Sequence, residues 1–340
     1  MAMTALGDLF VSANGVVELE VIQSFMDENG DRAMQMPFST SGAVITNPLV
    51  DAAASSASPQ ITVPYMGKLD SSVEPNYGND VYEDVAIPHK LDSGFMQARN
   101  AYLNEAWGAM DLVQEITKKD PLAAVAARLS TFWAEQAENR IAATVRGIYE
   151  LESGNADFNT PVAAGGSVSD GLLDAQMAMG SNFGVLSAYI MDLRTFTRLK
   201  KENLAAYDRD PETAQMTARF NGLPIIISNK AMTNAAGDSI VTLVGGGAFA
   251  YGMSEARVPL AYEREEARGN GHGAETLWSR RNMVVHPMGY NFLSTEITGN
   301  GTETVARSAG WADLINPANW ERAVQREAIP FAFATIDYTA

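Results

Sequence analysis

The stretch Asp120-Pro121-Leu122-Ala123-Ala124-Val125-Ala126-Ala127-Arg128-Leu129-Ser130-Thr131-Phe132-Trp133-Ala134, with its continuation to Tyr149, decides how the rest of the chain is read. An aspartate can accept hydrogen bonds from the free amides at a helix start, and proline is preset for the first helical position. From there Leu122, Val125, Leu129, Phe132/Trp133, Ala137, Ile141, Val145 and Ile148 recur at helical spacing. The opposite face carries Arg128, Glu135, Glu138, Arg140 and Arg146, and no glycine intervenes before Gly147. The pattern predicts a helix of ~30 residues, about 45 Å long. A typical globular helix has about 11–12 residues, so this one is a strut. Its single apolar stripe lacks sustained heptads, which favours packing on a sheet over a coiled coil.

Before the strut, residues 1–55 read as a loosely structured arm. Gly15 to Ile22 mixes strand and helix signals, and Asp51 to Pro59 is a small-residue, turn-prone linker. Ile61-Thr62-Val63-Pro64-Tyr65 reads as a strand, and Val81 to Lys90 as its return, with the turn-rich Gly67–Gly78 between them. Such an excursion has too few apolar residues for a core of its own, so it must rest on its own domain or on a neighbouring subunit. After the strut comes a Gly/Ser/Asn-rich connection, Ser153 to Gly171. A helix over Leu172–Met179 and a buried strand over Gly184–Met191 follow, then a helix capped by Asp192. Strands are expected over Gly222–Ser228 and Ser239–Val244, giving an α+β or α/β core with a small mixed sheet. Val258–Arg264 and Thr276–Pro287 read as paired long strands joined by an acidic, glycine-rich turn.

The 340 residues include 24 Lys+Arg against 41 Asp+Glu, a formal charge of -17, and no cysteine. Zero cysteine excludes disulfides, Cys-ligated zinc, iron–sulfur clusters and a thiol nucleophile, and it fits assembly in a reducing cytoplasm. The acidity argues against a surface that grips nucleic acid, because phosphate affinity needs clustered Lys and Arg. Basic residues come as isolated pairs: Lys118-Lys119, Lys200-Lys201 and Arg280-Arg281. The first basic residue is Arg32, so the charged start of a signal peptide is not expected. No apolar run approaches the ~20 residues that span a bilayer, and no membrane partner is expected.

Motifs that could carry chemistry are few. Gly245-Gly246-Gly247-Ala248-Phe249-Ala250 contains G-x-G-x-x-A, but Tyr251 to Pro259 is too short and broken for the helix that would receive a pyrophosphate. It reads as a strand-end glycine turn. His89, His272 and His286 show no metal-ligand spacing and read as structural or loop residues. Glu263, Glu265 and Glu266 could pair for acid/base work or cation binding, but Arg264 and Arg268 among them favour a salt-bridged hairpin tip. No catalytic residue, cofactor or metal is therefore expected.

The order of parts, together with local motifs, resembles the major capsid proteins of tailed bacteriophages, the HK97-fold family. Asp120-Pro121-Leu122, Phe132-Trp133-Ala134 and Arg146-Gly147-Ile148-Tyr149 resemble that family's spine helix. Ser187-Ala188-Tyr189 resembles the segment before the axial-domain helix. Gly222-Leu223-Pro224-Ile225-Ile226-Ile227-Ser228-Asn229-Lys230-Ala231-Met232 resembles the strand that follows, with Ser228-Asn229 where the family has an acidic pair. Gly247-Ala248-Phe249-Ala250-Tyr251-Gly252 and Arg280 to Gly289 resemble the closing strands. The match covers about residues 60–292; the 295–340 tail has no counterpart.

The resemblance implies an α+β, HK97-like capsid fold. Its parts would be an N-terminal arm (1–58), an extended loop (59–98), a peripheral domain (99–158 and 256–294, spine helix about 120–150) and an axial domain with tail (159–255 and 295–340). It further implies a structural virion protein that assembles with copies of itself into hexamers and pentamers of an icosahedral head, enclosing double-stranded DNA without binding it specifically. The extended loop would lie on a neighbour through Tyr65, Leu69, Val73, Tyr77 and Val81, with Lys68 and Lys90 as ionic partners. Lys68 and Lys90 also lie where the family's namesake forms Lys–Asn cross-links. Expected partners are a separate scaffolding protein, since the arm is short, a portal protein, and a decoration protein. Assembly would take place in the host bacterial cytoplasm. The alternatives are an encapsulin-like nanocompartment and a soluble α/β enzyme.

Overall fold

The computed structural model describes residues 36–46, 48–55, 58–67, 69, 73–89, 91, 93–118, 120–202, 206–209, 216–228, 230, 232–234, 237–293, 297–301 and 305–338. The Gly15–Ile22 segment lies outside them. Helix α1 (Pro37–Thr40), strand β1 (Val44–Thr46) and helix α2 (Pro48–Ala54) open the described chain. This corrects the loose-arm reading for residues 36–55, while residues 1–35 lie outside the described ones. Phe38, Ala43, Val50 and Ala54 are buried, β1 pairs in parallel with Phe249–Tyr251, and the supposed linker is helical to Ala54. Small residues that look turn-prone in sequence are here the ones that let a helix lie close against a sheet.

Strand β2 (Gln60–Met66) pairs antiparallel with β3 (Ser93–Met110), from Gln60↔Arg99 to Met66↔Ser93. The return strand is therefore β3 and not the expected Val81–Lys90 stretch, whose described residues 81–89 form no strand. After the short α3 (Asp111–Thr117), the predicted strut is α4 (Pro121–Glu152), 32 residues and about 48 Å long. Asp120 caps it, its Oδ1 accepting from the amides of Leu122 and Ala123 at 2.9 and 3.2 Å.

Next come β4 (Asn159–Val162), α5 (Val168–Met177), β5 (Leu186–Met191) and α6 (Leu193–Lys201), the last capped by Asp192 through the Thr195 amide at 2.9 Å. Strands β6 (Ala206–Arg209), β7 (Met216–Phe220), β8 (Leu223–Ile227), β9 (Met232–Thr233) and β10 (Ser239–Gly245) follow. The long pair β11 (Phe249–Glu265) and β12 (Ala274–Pro287) leads to β13 (Tyr290–Phe292), α7 (Trp311–Ile315), β14 (Trp320–Arg322) and β15 (Phe331–Ile336).

Two sheets result. One has the order β1-β11-β12-β3-β2; the other runs β4-β15-β10-β5-β8-β7-β6, with β9 added on β10. The second is larger than the small sheet expected, because β15 enters between β4 and β10. The first half of α4 lies on the first sheet. Trp133 Nε1 donates to Ser279 Oγ at 2.9 Å, and Phe132 meets Trp107 edge-on. Its second half reaches the other sheet, where Tyr149 stacks edge-on against Phe333 and its hydroxyl lies 2.9 Å from Thr335 Oγ1. The segment that resembles nothing by sequence is therefore built into the core.

Gly147 is where α4 admits that segment. A β-carbon there would collide with the Leu314 carbonyl and sit 2.8 Å from Trp320 Nε1, which itself donates to that carbonyl at 2.8 Å. Gly147→Ala is expected to cost about 1–3 kcal/mol in chemical denaturation. Gly154→Ala, which meets open space, should stay within about 0.5 kcal/mol.

Candidate functional site

The extended loop begins where the β2–β3 ladder ends. Among the described residues of 73–89, one backbone–backbone hydrogen bond is made, from the Asp84 amide to the Val81 carbonyl at 3.2 Å. Asparagines provide the remaining order. Asn76 Nδ2 reaches across to the Ile87 carbonyl at 3.2 Å, while Asn79 accepts from the Val81 amide at 3.1 Å and donates to Asp84. Tyr77 donates to Glu74 at 2.8 Å. The loop is thus extended and locally braced, and among the described residues no other part of the chain covers it.

That leaves an unusual surface. Tyr82 is 96% exposed and Val85 84%, and Leu69, Val73, Tyr77, Val81, Ile87 and Leu91 are exposed as well. Single exposed apolar side chains are ordinary, whereas a contiguous run of them marks an interaction surface. Glu74, Asp80, Glu83 and Asp84 stand among them, so a receiving surface should be neutral or basic. Leu69, Val73, Tyr77 and Val81, expected to meet a neighbour, are exposed on the loop. Lys68 and Lys90 lie outside the described residues. Tyr65 is different: it is half-buried and donates to the Ala323 carbonyl at 2.8 Å within the same chain. Tyr82, Val85 and Ile87 were missed, because a run of strand-forming residues was taken to have a strand partner.

The loop's base borders a groove of ≈ 590 Å³ lined by Met66, Met96, Met288 and Val324, among others. A second cleft, ≈ 630 Å³, opens between β3, α4 and the 299–312 segment, with Tyr102, Phe132, Trp133 and Trp311 on its walls. Its titratable groups do not form an acid–base pair. Glu105 accepts from the Ala106 amide at 3.2 Å, and Arg140 Nη1 donates to the Ala309 carbonyl at 3.0 Å. Burial lowers the Arg140 pKa to about 10, against the opposing pull of Asp313.

The motifs weighed for chemistry are spent on structure. The amides of Gly245, Gly246 and Ala248 donate to the carbonyls of Pro330, Val185 and Gly245, and β11 rather than a helix follows them. Arg264 bridges Asp111, Glu266 and Glu275, Arg268 pairs with Glu265, and Trp278 Nε1 donates to Glu263 at 2.9 Å. His272 lies 3.1 Å from Glu115. Among the described residues no group of three His, Asp or Glu side chains could hold a metal ion. No helix among them is long and apolar enough to cross a membrane.

His286 is a titratable group that folding changes strongly within the ordinary pH range. It is 3% exposed, its Nε2 has no hydrogen-bond partner among the described residues, and it shares a small cavity with Arg99, Arg140 and Thr144. Burial lowers its pKa to about 4.

No protein-family model matches the chain. It is 25% identical over 294 residues to the major capsid protein of Bacillus phage SPP1, covering 84% of this chain and 86% of that one. Among solved structures, the Cyanophage Pam1 capsid is similar with a TM-score of 0.54 and 12% identity, over 79% of this chain and 93% of that one. The capsid of the native GTA particle gives 0.51 and 13%, over 98% of this chain and 100% of that one. The fold is the α+β, HK97-like capsid fold implied by the sequence resemblance.

Because the unfolded chain binds a proton at His286 near pH 6.5 and the folded one near 4, stability is full above the first value and falls between them as pH drops. The loss amounts to about 3 kcal/mol. Denaturation titrations from pH 7 to 4 should show this slope in the parent and a flatter one in His286→Gln.

Proposed function

We propose that this chain is the shell-building subunit of a viral head: copies of it form hexamers and pentamers that close into an icosahedral container for double-stranded DNA. Likeness over most of the chain carries the reading, since it matches a phage major capsid protein along more than four fifths of both lengths and its described residues have the capsid fold. The work done is association. Contacts between unlike surfaces that close under rotation give rings, and rings tile a shell. Such a role is structural and needs no catalytic group.

The sheet β1-β11-β12-β3-β2 with the first half of α4 is the peripheral domain in this reading, and the sheet containing β5, β10 and β15 is the axial domain. The loop with Leu69, Val73, Tyr77 and Val81, to which the exposure of Tyr82, Val85 and Ile87 adds, is the contact with a neighbouring copy. Lys68 and Lys90 flank it in sequence as ionic partners. Tyr65 belongs to the same region but supports the loop from within its own chain. The further partners are a separate scaffolding protein, a portal protein and a decoration protein, with assembly in a bacterial cytoplasm before the shell becomes part of the virion. The formal charge of -17 suits a wall that confines DNA without gripping it.

Two measurements test this. Electron microscopy of the purified protein should show closed shells, and shells from infected cells should protect long DNA from nuclease. Protein cargo in place of DNA would mark a nanocompartment, and a discrete small oligomer that never closes would overturn the shell reading. The combined substitutions Tyr82→Asp, Val85→Asp and Ile87→Asp should leave subunit stability within about 0.5 kcal/mol per position while abolishing particles. Normal shells from that variant would remove the loop from the contact.

A further inference from the structure

Tyr65 occupies the last turn of the ladder before the extended loop departs. Its hydroxyl donates to the Ala323 carbonyl at 2.8 Å, a link across 258 positions of sequence. Ala323 is itself fixed, because its amide donates to the Gly289 carbonyl at 2.8 Å and the preceding Arg322 pairs with Tyr290 in the β13–β14 ladder. The ring lies flat over Gly94, its ladder partner. A β-carbon at Gly94 would come within 2.7 Å of the Tyr65 Cζ and hydroxyl oxygen, so the absence of a side chain there makes the seat. Beyond this point Met66 pairs with Ser93, and no further ladder register follows.

The surroundings are adaptable. Met66, Met96, Met288 and Val324 line the adjoining groove of ≈ 590 Å³, and methionine side chains repack easily around a shifted neighbour. Between Ser93 and Arg99 β3 pairs only with β2, and a two-stranded ribbon twists more readily than a wide sheet. One directional hydrogen bond on a fixed carbonyl can therefore select one exit angle where soft apolar packing alone would accept several.

We propose that Tyr65, seated on Gly94 and bonded to Ala323, is a positioning residue: a clasp that sets the angle at which the extended loop leaves the subunit, and so where the loop meets the next copy. The clasp is a property of the single subunit, and only its consequence for assembly rests on the shell reading. The residue's role is to aim the contact surface, not to form part of it.

The chain has no cysteine, so Val85→Cys in the loop and the exposed Asp174→Cys in α5 give a clean spin-label pair on the full-length, unassembled subunit. The parent should give one dominant distance. Tyr65→Phe keeps the ring and removes only the bond, and should shift the ratio of clasped to displaced loop about fivefold, the worth of one neutral hydrogen bond. Gly94→Ala keeps the hydroxyl and spoils the seat, and should displace the loop in the same sense. Distance distributions for both variants that superimpose on the parent's would overturn the clasp, provided their melting curves show folded protein. A displaced loop with impaired or irregular shells links the clasp to assembly. A displaced loop with normal shells leaves the clasp standing and removes the loop from the intersubunit contact.

Discussion

Helix α4 has to satisfy two sheets at once, and the rest of the architecture is arranged around that demand. Its first turns press Phe132 and Trp133 against Trp107 and Ser279 of the five-stranded sheet, while its last turns place Ile148 and Tyr149 in the cluster that contains Phe331 and Phe333. A helix of ordinary length would reach only one of them. At about 48 Å, α4 ties both layers to one rigid axis, so a bend anywhere along it would be felt in two cores. The absence of glycine before Gly147 keeps that axis uninterrupted through the first sheet.

Apolar packing alone would leave the segments around α4 free to slide, and buried polar groups on the helix fix their register. Glu138, 1% exposed, accepts the Ser39 amide at 2.7 Å and so holds α1. Burial raises its pKa despite the hydrogen bonds from Ser39 and Phe38 and the nearby Lys230. Arg140 holds the Ala309 carbonyl, and Glu152 receives Tyr290 at 3.1 Å and Asn155 at 3.0 Å. Each buried charge carries a desolvation cost that its bonds must offset, so these joints contribute more to uniqueness of arrangement than to net stability. Asp313 plays the same part from the tail. Burial pushes its carboxyl up, but the bonds from Thr298, Gly310 and Gly299 outweigh that and hold it below the usual range.

Much of this was legible from local pattern. The α4 cap and stripe, the Asp192 cap, β5, β8, β10 and the β11–β12 pair each carry their own periodicity or turn chemistry, and those signals are short-range. Three readings failed where the deciding partner is remote. Val81–Ile87 has strand-forming residues but meets no ladder, because β2 pairs instead with β3. The 48–54 segment is helical because the first sheet covers it, and the place of β15 depends on strands more than eighty positions earlier in the chain. For the candidate site, the exposed character of Leu69, Val73, Tyr77 and Val81 followed from composition. The inward bond of Tyr65 did not, because nothing around Tyr65 in sequence announces Ala323.

The position of β15 also sets the order of events during synthesis. Phe331–Ile336 lies between β4 and β10, so β4 has nothing to join it to the larger sheet until the ribosome has passed residue 336. Its earlier strands must wait with unsatisfied edges, and pairings of this sequence separation form slowly. A chain that stops short of β15 leaves β4 without its partner and β10 with an open edge, so this sheet is finished only when nearly the whole chain has been made.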